Sequence, residues 1–333
     1  MQHLTIVVPQ GQNNLSSIVG TFKVFSRANE YWQSRGKSPV FKIQLAGFST
    51  KVDLYNGLFT INSTDIREIG KTDFVIIPSI NKDYYNSLEQ NTALVEWIGT
   101  QYQNGAEVAS ICTGAFLLAA TGLVNNKECS THWIAAETFK TLYPEVLLVT
   151  EKIITDENGI YTNGGAFSFL NLLMYLVEKK YDRETAIYCS KVFQVDIDRD
   201  NQSPFTIFEG QKDHNDELIK KTQQLIESNL SQKISFEKVA ENLAISRRNF
   251  DRRFIKATGN TPVEYLQRVK IEAAKKLFET EMKNVNEVMY DVGYTDVKAF
   301  REVFRKITGL SPLEYRQKYN KEYALGHWGV SAV

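Results

Sequence analysis

The chain has 333 residues, 43% of them apolar, and its 39 Lys+Arg are balanced by 39 Asp+Glu. At roughly 100–200 residues per domain this predicts two folded domains, and it excludes both a single small module and a disordered chain. The longest nearly apolar run, 115–124, is about half of the ~20 residues a membrane-crossing helix needs, and Met1-Gln2-His3 lacks the basic start of a secretory signal. A cytoplasmic protein with no membrane partner is therefore expected.

The balanced charge hides an asymmetry. Residues 210–322 carry 22 Lys+Arg and 17 Asp+Glu, leaving 17 and 22 for the rest. A tail about five charges positive, joined to a front about five negative, suggests that the tail meets a polyanion. Cys112, Cys129 and Cys189 are widely spaced with no CxxC pair, which argues against a disulfide framework and against a metal site.

Strand and helix patterns alternate over the first ~190 residues. Residues 4–8 read as a strand, 15–35 as a helix, 41–45 as a strand and 73–78 as a buried strand. Next come a helix at 88–103 and a strand at 107–111 that ends on Cys112. Beyond Trp133 lie another helix, a strand pair around 156–159, and helices at 167–180 and 183–192. This order predicts a parallel sheet with helices on both faces and a site at the carboxyl ends of its strands. Periodicity fails over 195–216, where Asp196, Asp198, Asp200, Asn201, Ser203 and Pro204 cluster. The expected organisation is a domain over 1–194, a linker over 195–216, an all-helical domain over 217–321 and a tail over 322–333.

The helical part contains a repeat. Phe250, Phe254, Thr258, Gly259, Pro262, Glu264 and Tyr265 recur fifty residues later as Phe300, Phe304, Thr308, Gly309, Pro312, Glu314 and Tyr315. Val239 and Leu243 recur one residue closer, as Val288 and Val292, so a turn between them differs by one residue. Each unit reads as a helix, a tight turn and a second helix. Ala240 and Met289 fall where the helices cross, Gly293 frees the second turn, and Ser246 and Asp296 stand as N-caps. The Phe pairs at i and i+4 belong in the core, and Gly259 and Gly309 close the second helices.

The opposite face is then Arg247, Arg248, Asp251, Arg252 and Lys256 in the first unit, and Lys298, Arg301, Glu302 and Arg305 in the second. Basic residues near a helix N-terminus suit the major groove, and duplication favours this over a merely solvated charged face. Leu266, Val269, Ala273 and Leu277 predict one long connecting helix that sets the separation of the two units.

At these residues the tail, about 218–320, resembles the AraC/XylS family of transcriptional regulators. The second unit carries the likeness most specifically, in Gly293-Tyr-Thr-Asp-Val-Lys-Ala-Phe-Arg-Glu-Val-Phe304 and Thr308-Gly-Leu-Ser-Pro-Leu-Glu-Tyr-Arg316. The resemblance implies Arg248, Asp251 and Arg252 in the first recognition helix and Val297, Lys298 and Arg301 in the second. Glu302 stands where the family often has Arg. An acid there accepts from cytosine or pairs with Arg301 or Arg305.

In the front domain, residues 107–118 run a strand into a helix with Cys112 at the junction. Such an elbow presents the side chain at the sheet edge, where a helix N-terminus favours a thiolate. Ser130-Thr-His132-Trp supplies an imidazole able to approach the sulfur, and a buried structural cysteine is the ordinary alternative. Ile111-Cys-Thr-Gly-Ala115, Gly122-Leu-Val124, Thr131-His-Trp133 and Gly164-Gly-Ala166 carry a further resemblance over about 3–192. They resemble the PfpI-like domains of the type I glutamine-amidotransferase-like superfamily, found ahead of AraC-type tails in GlxA-family regulators.

That resemblance implies a flavodoxin-like α/β sandwich that usually dimerises, with Cys112 and His132 in the inherited pocket; the expected ligand pocket is Ser17, Ser79, Cys112, Thr113 and His132. Superfamily enzymes place an acid from the first loop beside the cysteine. Here the loop is Gln10-Gly-Gln-Asn-Asn-Leu-Ser-Ser17, with Ser16 or Ser17 at the corresponding place, and a hydroxyl does not relay protons as a carboxylate does. Ile77-Pro-Ser-Ile80 also lacks the glycines of an oxyanion site. The expectation is a DNA-binding regulator rather than an enzyme: a homodimer answering to a small-molecule effector, without cofactor or metal, and touching RNA polymerase if it activates. A cysteine-dependent amidase or glyoxalase-like enzyme, and a thiol redox sensor through Cys112, are the alternatives.

Overall fold

The computed structural model describes residues 1–197 and 201–320; Lys321, the expected tail 322–333 and part of the expected linker, 198–200, lie outside them. The chain divides between Gln202 and Ser203 into two compact units.

The first unit begins with β1 (Gln2–Val7), α1 (Leu15–Ser34) and β2 (Phe41–Gly47), followed by β3 (Lys51–Leu54), β4 (Phe59–Asn62) and β5 (Thr64–Asp65). Next are β6 (Phe74–Ile77), α2 (Tyr84–Gln90), α3 (Thr92–Gln103), β7 (Glu107–Ser110) and α4 (Ala115–Ala120). Then come β8 (Glu128–Cys129), α5 (Ala136–Leu142), β9 (Leu147–Leu148), β10 (Ile154–Glu157), β11 (Ile160–Asn163), α6 (Phe169–Lys180) and α7 (Arg183–Phe193). Seven strands form one sheet in the order β10-β11-β7-β6-β1-β2-β5. Every pairing in it is parallel except β10 with β11.

The strands are apolar on both sides because both faces are covered. Leu4, Ile6, Phe74 and Ile76 point to one face, against Phe25 of α1 and Leu172 and Leu176 of α6. Their alternates Val7, Val75 and Ile77 point to the other, against Ile98 of α3 and Phe116 of α4. This is the flavodoxin-like layering that the front domain implies.

Two local differences have identifiable causes. The expected helix over 88–103 is two helices, α2 and α3, broken at Asn91, whose buried amide is spent on Gln10 and on the Ser87 carbonyl. Residues 51–62 form a β3–β4 hairpin whose signal was present, since Asn56-Gly57 lies between alternating runs and takes φ of 57° and 83°.

The second unit holds α8 (Glu217–Ser228), α9 (Phe236–Asn242), α10 (Arg247–Thr258), α11 (Pro262–Thr280), α12 (Val285–Asp291), α13 (Val297–Thr308) and α14 (Pro312–Tyr319). It has two cores. Ile219, Phe236, Ala240, Phe250, Phe254 and Tyr265 make the first lobe. Ile271, Phe278, Met289, Phe300, Phe304 and Tyr315 make the second. The connecting helix α11 serves both lobes, so its buried face is not the expected stripe. Leu266, Val269, Ala273 and Leu277 are half-buried, while Tyr265, Lys270, Ile271, Ala274, Lys275 and Phe278 are buried.

Much of the expected linker packs with this unit. The Lys275 ammonium donates to the Thr206 carbonyl at 2.6 Å, the Phe208 N–H donates to Glu272 at 3.1 Å, and the Phe208 ring meets Tyr265 edge-on. Apolar residues among the polar ones, Phe208 above all, give the segment something to bury.

Candidate nucleic-acid interface and effector site

The two second helices, α10 and α13, are built alike. The Ser246 hydroxyl accepts from the Asn249 N–H at 3.3 Å and the Asp296 carboxylate from the Ala299 N–H at 2.8 Å, each satisfying a free donor of the first turn. Gly259 and Gly309 close the helices in the left-handed region, at φ 68° and 74°. Phe250, Phe254, Phe300 and Phe304 are fully buried, which turns the opposite faces outward. Arg248, Arg252, Lys256, Lys298, Arg301, Glu302 and Arg305 are exposed there; Arg247, Asp251 and Val297 are half-buried.

Side-chain pairing divides the expected DNA-facing residues. Arg247 is committed inside the protein: its Nε donates to both Asp251 oxygens at 2.8 and 3.0 Å, and its Nη1 to Glu237 of α9 at 2.5 Å. Arg252 makes one bond, to the Asn249 side chain at 3.2 Å. Among the described residues, Arg248, Arg252, Lys256, Lys298, Arg301, Glu302 and Arg305 form no ion pair within 4 Å. Glu302 is thus paired with neither Arg301 nor Arg305. Arg253, which the face assignment passed over, binds Asp216 through two bonds of 2.8 Å and holds that carboxyl below its ordinary range. It ties α10 to the capped start of α8.

In the first unit, β7 runs into a tight turn at Cys112, whose φ is 53°. Gly114 makes the turn possible: a Cβ there would lie 2.5 Å from the Pro78 carbonyl and 2.8 Å from that of Ile77. Cys112, Ser79, Thr113 and Ser17 are all buried. The Ser79 and Thr113 hydroxyls are 2.7 Å apart, and Ser17 Oγ accepts the Ser79 N–H at 3.2 Å while donating to the Asn14 carbonyl at 2.7 Å. Burial pushes the Cys112 thiol up and outweighs the neighbouring Ser79, Thr113 and His132 main-chain groups, which favour the charged form; the Thr113 hydroxyl itself donates to the Ile80 carbonyl at 2.6 Å. The helix N-terminus therefore does not leave this sulfur a thiolate.

His132 contributes to the sulfur by its main chain. Its ring Nδ1 instead accepts the Ile134 N–H at 3.1 Å, and burial alone lowers the imidazole pKa. Among the described residues no hydrogen bond joins the imidazole to the sulfur, and the side chain caps the turn that follows it. At the same carboxyl edge of the sheet, a cavity of about 120 Å³ is lined by Val8, Gln10, Phe48, Gln90, Asn91 and Leu94.

Residues 239–318 match the helix-turn-helix domain family, and residues 42–179 match the DJ-1/PfpI family. The chain joins a DJ-1/PfpI domain to an AraC-type helix-turn-helix domain. Among its relatives, the HTH-type transcriptional regulator GbdR of Pseudomonas aeruginosa is 24% identical over 67% of this chain and 61% of its own length. The HTH-type transcriptional regulator GlxA of Rhizobium meliloti is 20% identical over 64% of this chain and 66% of its own. The match thus spans less than two thirds of these relatives. A crystal structure of a protein from Vibrio parahaemolyticus shares the fold with a TM-score of 0.52 at 22% identity, covering 57% of this chain and 98% of that one.

Within the DJ-1/PfpI domain, three contributors had no signal in the spacing of residues. Thr131 Oγ1 donates to the Cys112 carbonyl at 3.0 Å, and Gln202 Nε2 donates to the Thr131 carbonyl at 3.0 Å. Gly164, noted only as part of a motif, leaves room for both the Gln202 and Ser130 side chains, which a Cβ would meet at 2.2 and 2.4 Å. Among the described residues, no group of three or more His, Cys, Asp or Glu is arranged to hold a metal, and no helix is long and apolar enough to cross a membrane.

Proposed function

We propose that the chain is a sequence-specific DNA-binding transcriptional regulator whose DJ-1/PfpI domain binds a small metabolite. The observation that carries this reading is the pair of capped, core-anchored helices α10 and α13, which turn unpaired Arg248, Arg252, Lys298, Arg301 and Arg305 outward from one domain. Arg at such a position makes paired bonds to guanine, and each good pair discriminates by about 1–3 kcal/mol. The names of the relatives GbdR and GlxA support the same reading. A cytoplasmic homodimer, in contact with RNA polymerase where it activates, is the form we assign it.

The buried Ser79, Cys112 and Thr113 cluster supports binding rather than turnover or redox sensing, since burial favours the neutral thiol and the His132 Nδ1 is spent on the Ile134 N–H. A bound metabolite regulates only by favouring one of two conformations. Gln202 gives such a change a route, because it reaches the Cys112 turn through Thr131 and is the last residue before the second unit.

The test is a gel-shift titration on duplexes selected from a random-sequence library. Arg248→Ala and Arg301→Ala are each expected to lose about tenfold to a hundredfold in affinity with unchanged thermal melts. Full affinity in both variants overturns the assignment.

A further inference from the structure

We infer that Lys270 is a positioning residue that fixes the spacing of the two recognition helices, by pinning the turn of the second helix-turn-helix to the first lobe; this rests on the DNA-binding reading above. Lys270 sits on α11 at the seam of the two cores, with Tyr265 of the first lobe on one side and Ile271, Ala274 and Phe278 of the second on the other. It is only 7% exposed, yet among the described residues it pairs with no carboxylate. Its ammonium donates to the Gly293 carbonyl at 2.9 Å and lies 5.3 Å over the Tyr294 ring.

Gly293 is the turn residue of the second unit, at φ 72°. The point where its Cβ would stand is 2.5 Å from the Leu230 carbonyl, 2.8 Å from the Ser231 carbonyl and 2.9 Å from Lys270 Nζ. Three segments therefore converge on one spot: the loop between α8 and α9, the connecting helix, and the second turn. The first unit has no such convergence to accommodate. At the matching turn it carries Ala244, with a Cβ in place, at φ 54°.

A buried lysine is a costly way to fill a seam, since an apolar side chain of similar length would pack there without desolvating a charge. What the ammonium adds is direction. One short bond to one carbonyl specifies a single orientation of the second lobe on α11, whereas apolar contact permits sliding and rolling. Two recognition helices held at one separation read two groove segments at one phase, and their combined affinity then depends on the distance between the DNA subsites.

The experiment uses the full chain and a duplex selected from a random library by the wild type, together with derivatives carrying one or two base pairs inserted between the protected segments. Wild type is expected to lose most of its affinity on the insertions. Lys270→Met is expected to bind the selected duplex about tenfold more weakly and to lose much less on the insertions, while Lys270→Arg restores both affinity and discrimination. Circular-dichroism melts of the same preparations separate misfolding from mispositioning. If Lys270→Met does not fold, the comparison is made with Lys270→Gln, for which the same outcomes apply. A folded variant that discriminates spacing as wild type does overturns the positioning role and leaves the DNA-binding reading standing. A wild type that selects no duplex overturns both.

Discussion

At the scale of single residues, position in the fold reverses what residue type suggests. Cys112 stands before a helix, an arrangement that lowers thiol pKa values in the open, but at 5% exposure desolvation outweighs the donors around it. A raised pKa leaves the neutral, unreactive thiol dominant at neutral pH, with reactivity growing as pH rises toward and past the ordinary thiol value. Iodoacetamide labelling of Cys112, followed by mass spectrometry, should be slow at pH 7 and still rising at about pH 9. A rate already on its plateau at pH 7 would restore the redox-sensor alternative. The strand-to-helix junction at Cys112 was readable from the sequence pattern. The orientation of the His132 ring was not, because it is set by a hydrogen bond to a backbone N–H two residues on, within a turn that the sequence pattern leaves open.

At the scale of elements, the duplicated helix-turn-helix was legible almost to the residue. Caps, Phe pairs and closing glycines act within a few positions of chain, so their signals survive without tertiary information. The two turns nevertheless differ in a way that can be measured. Ala244 adopts a left-handed conformation that disfavours a Cβ, so Ala244→Gly should stabilise the domain, by up to about 1 kcal/mol once glycine's own entropy is counted. Gly293→Ala meets the same backbone penalty and also two carbonyl oxygens within 3 Å of the new carbon, so it should destabilise by more than about 2 kcal/mol. Denaturant titration of both variants checks the opposite signs; equal and small effects would remove the close approach at Gly293.

At the scale of the whole molecule, the balanced 39 and 39 charges say little, and the five-charge excess of the tail says only that a polyanion is plausible. The pairing pattern says more, because ion-paired cations do not release counterions as free ones do. Affinity should fall with salt at a slope of about 0.9 per phosphate neutralised, and Lys298→Ala should shallow that slope by about one unit. Arg247→Ala should leave the slope nearly unchanged, since its guanidinium is already spent on Asp251 and Glu237. Titrations over a range of salt concentrations distinguish the two variants, and an equal reduction by both would show that Arg247 leaves its partners for DNA.

The amino-acid sequence by itself determined the main strand and helix alternation, though not the break at Asn91 or the β3–β4 hairpin, together with the repeat, the caps and the outward faces of α10 and α13, which depend on neighbours in the chain. Only the tertiary structure decided which basic residues remain unpaired, how deep Cys112 lies, where the 203–216 segment packs, and that Lys270 rather than the Leu266 and Val269 stripe occupies the seam of the two lobes. Each of those outcomes hangs on partners tens of residues away. A side chain's charge state and freedom follow from what folding brings beside it, and the linear pattern carries no record of that.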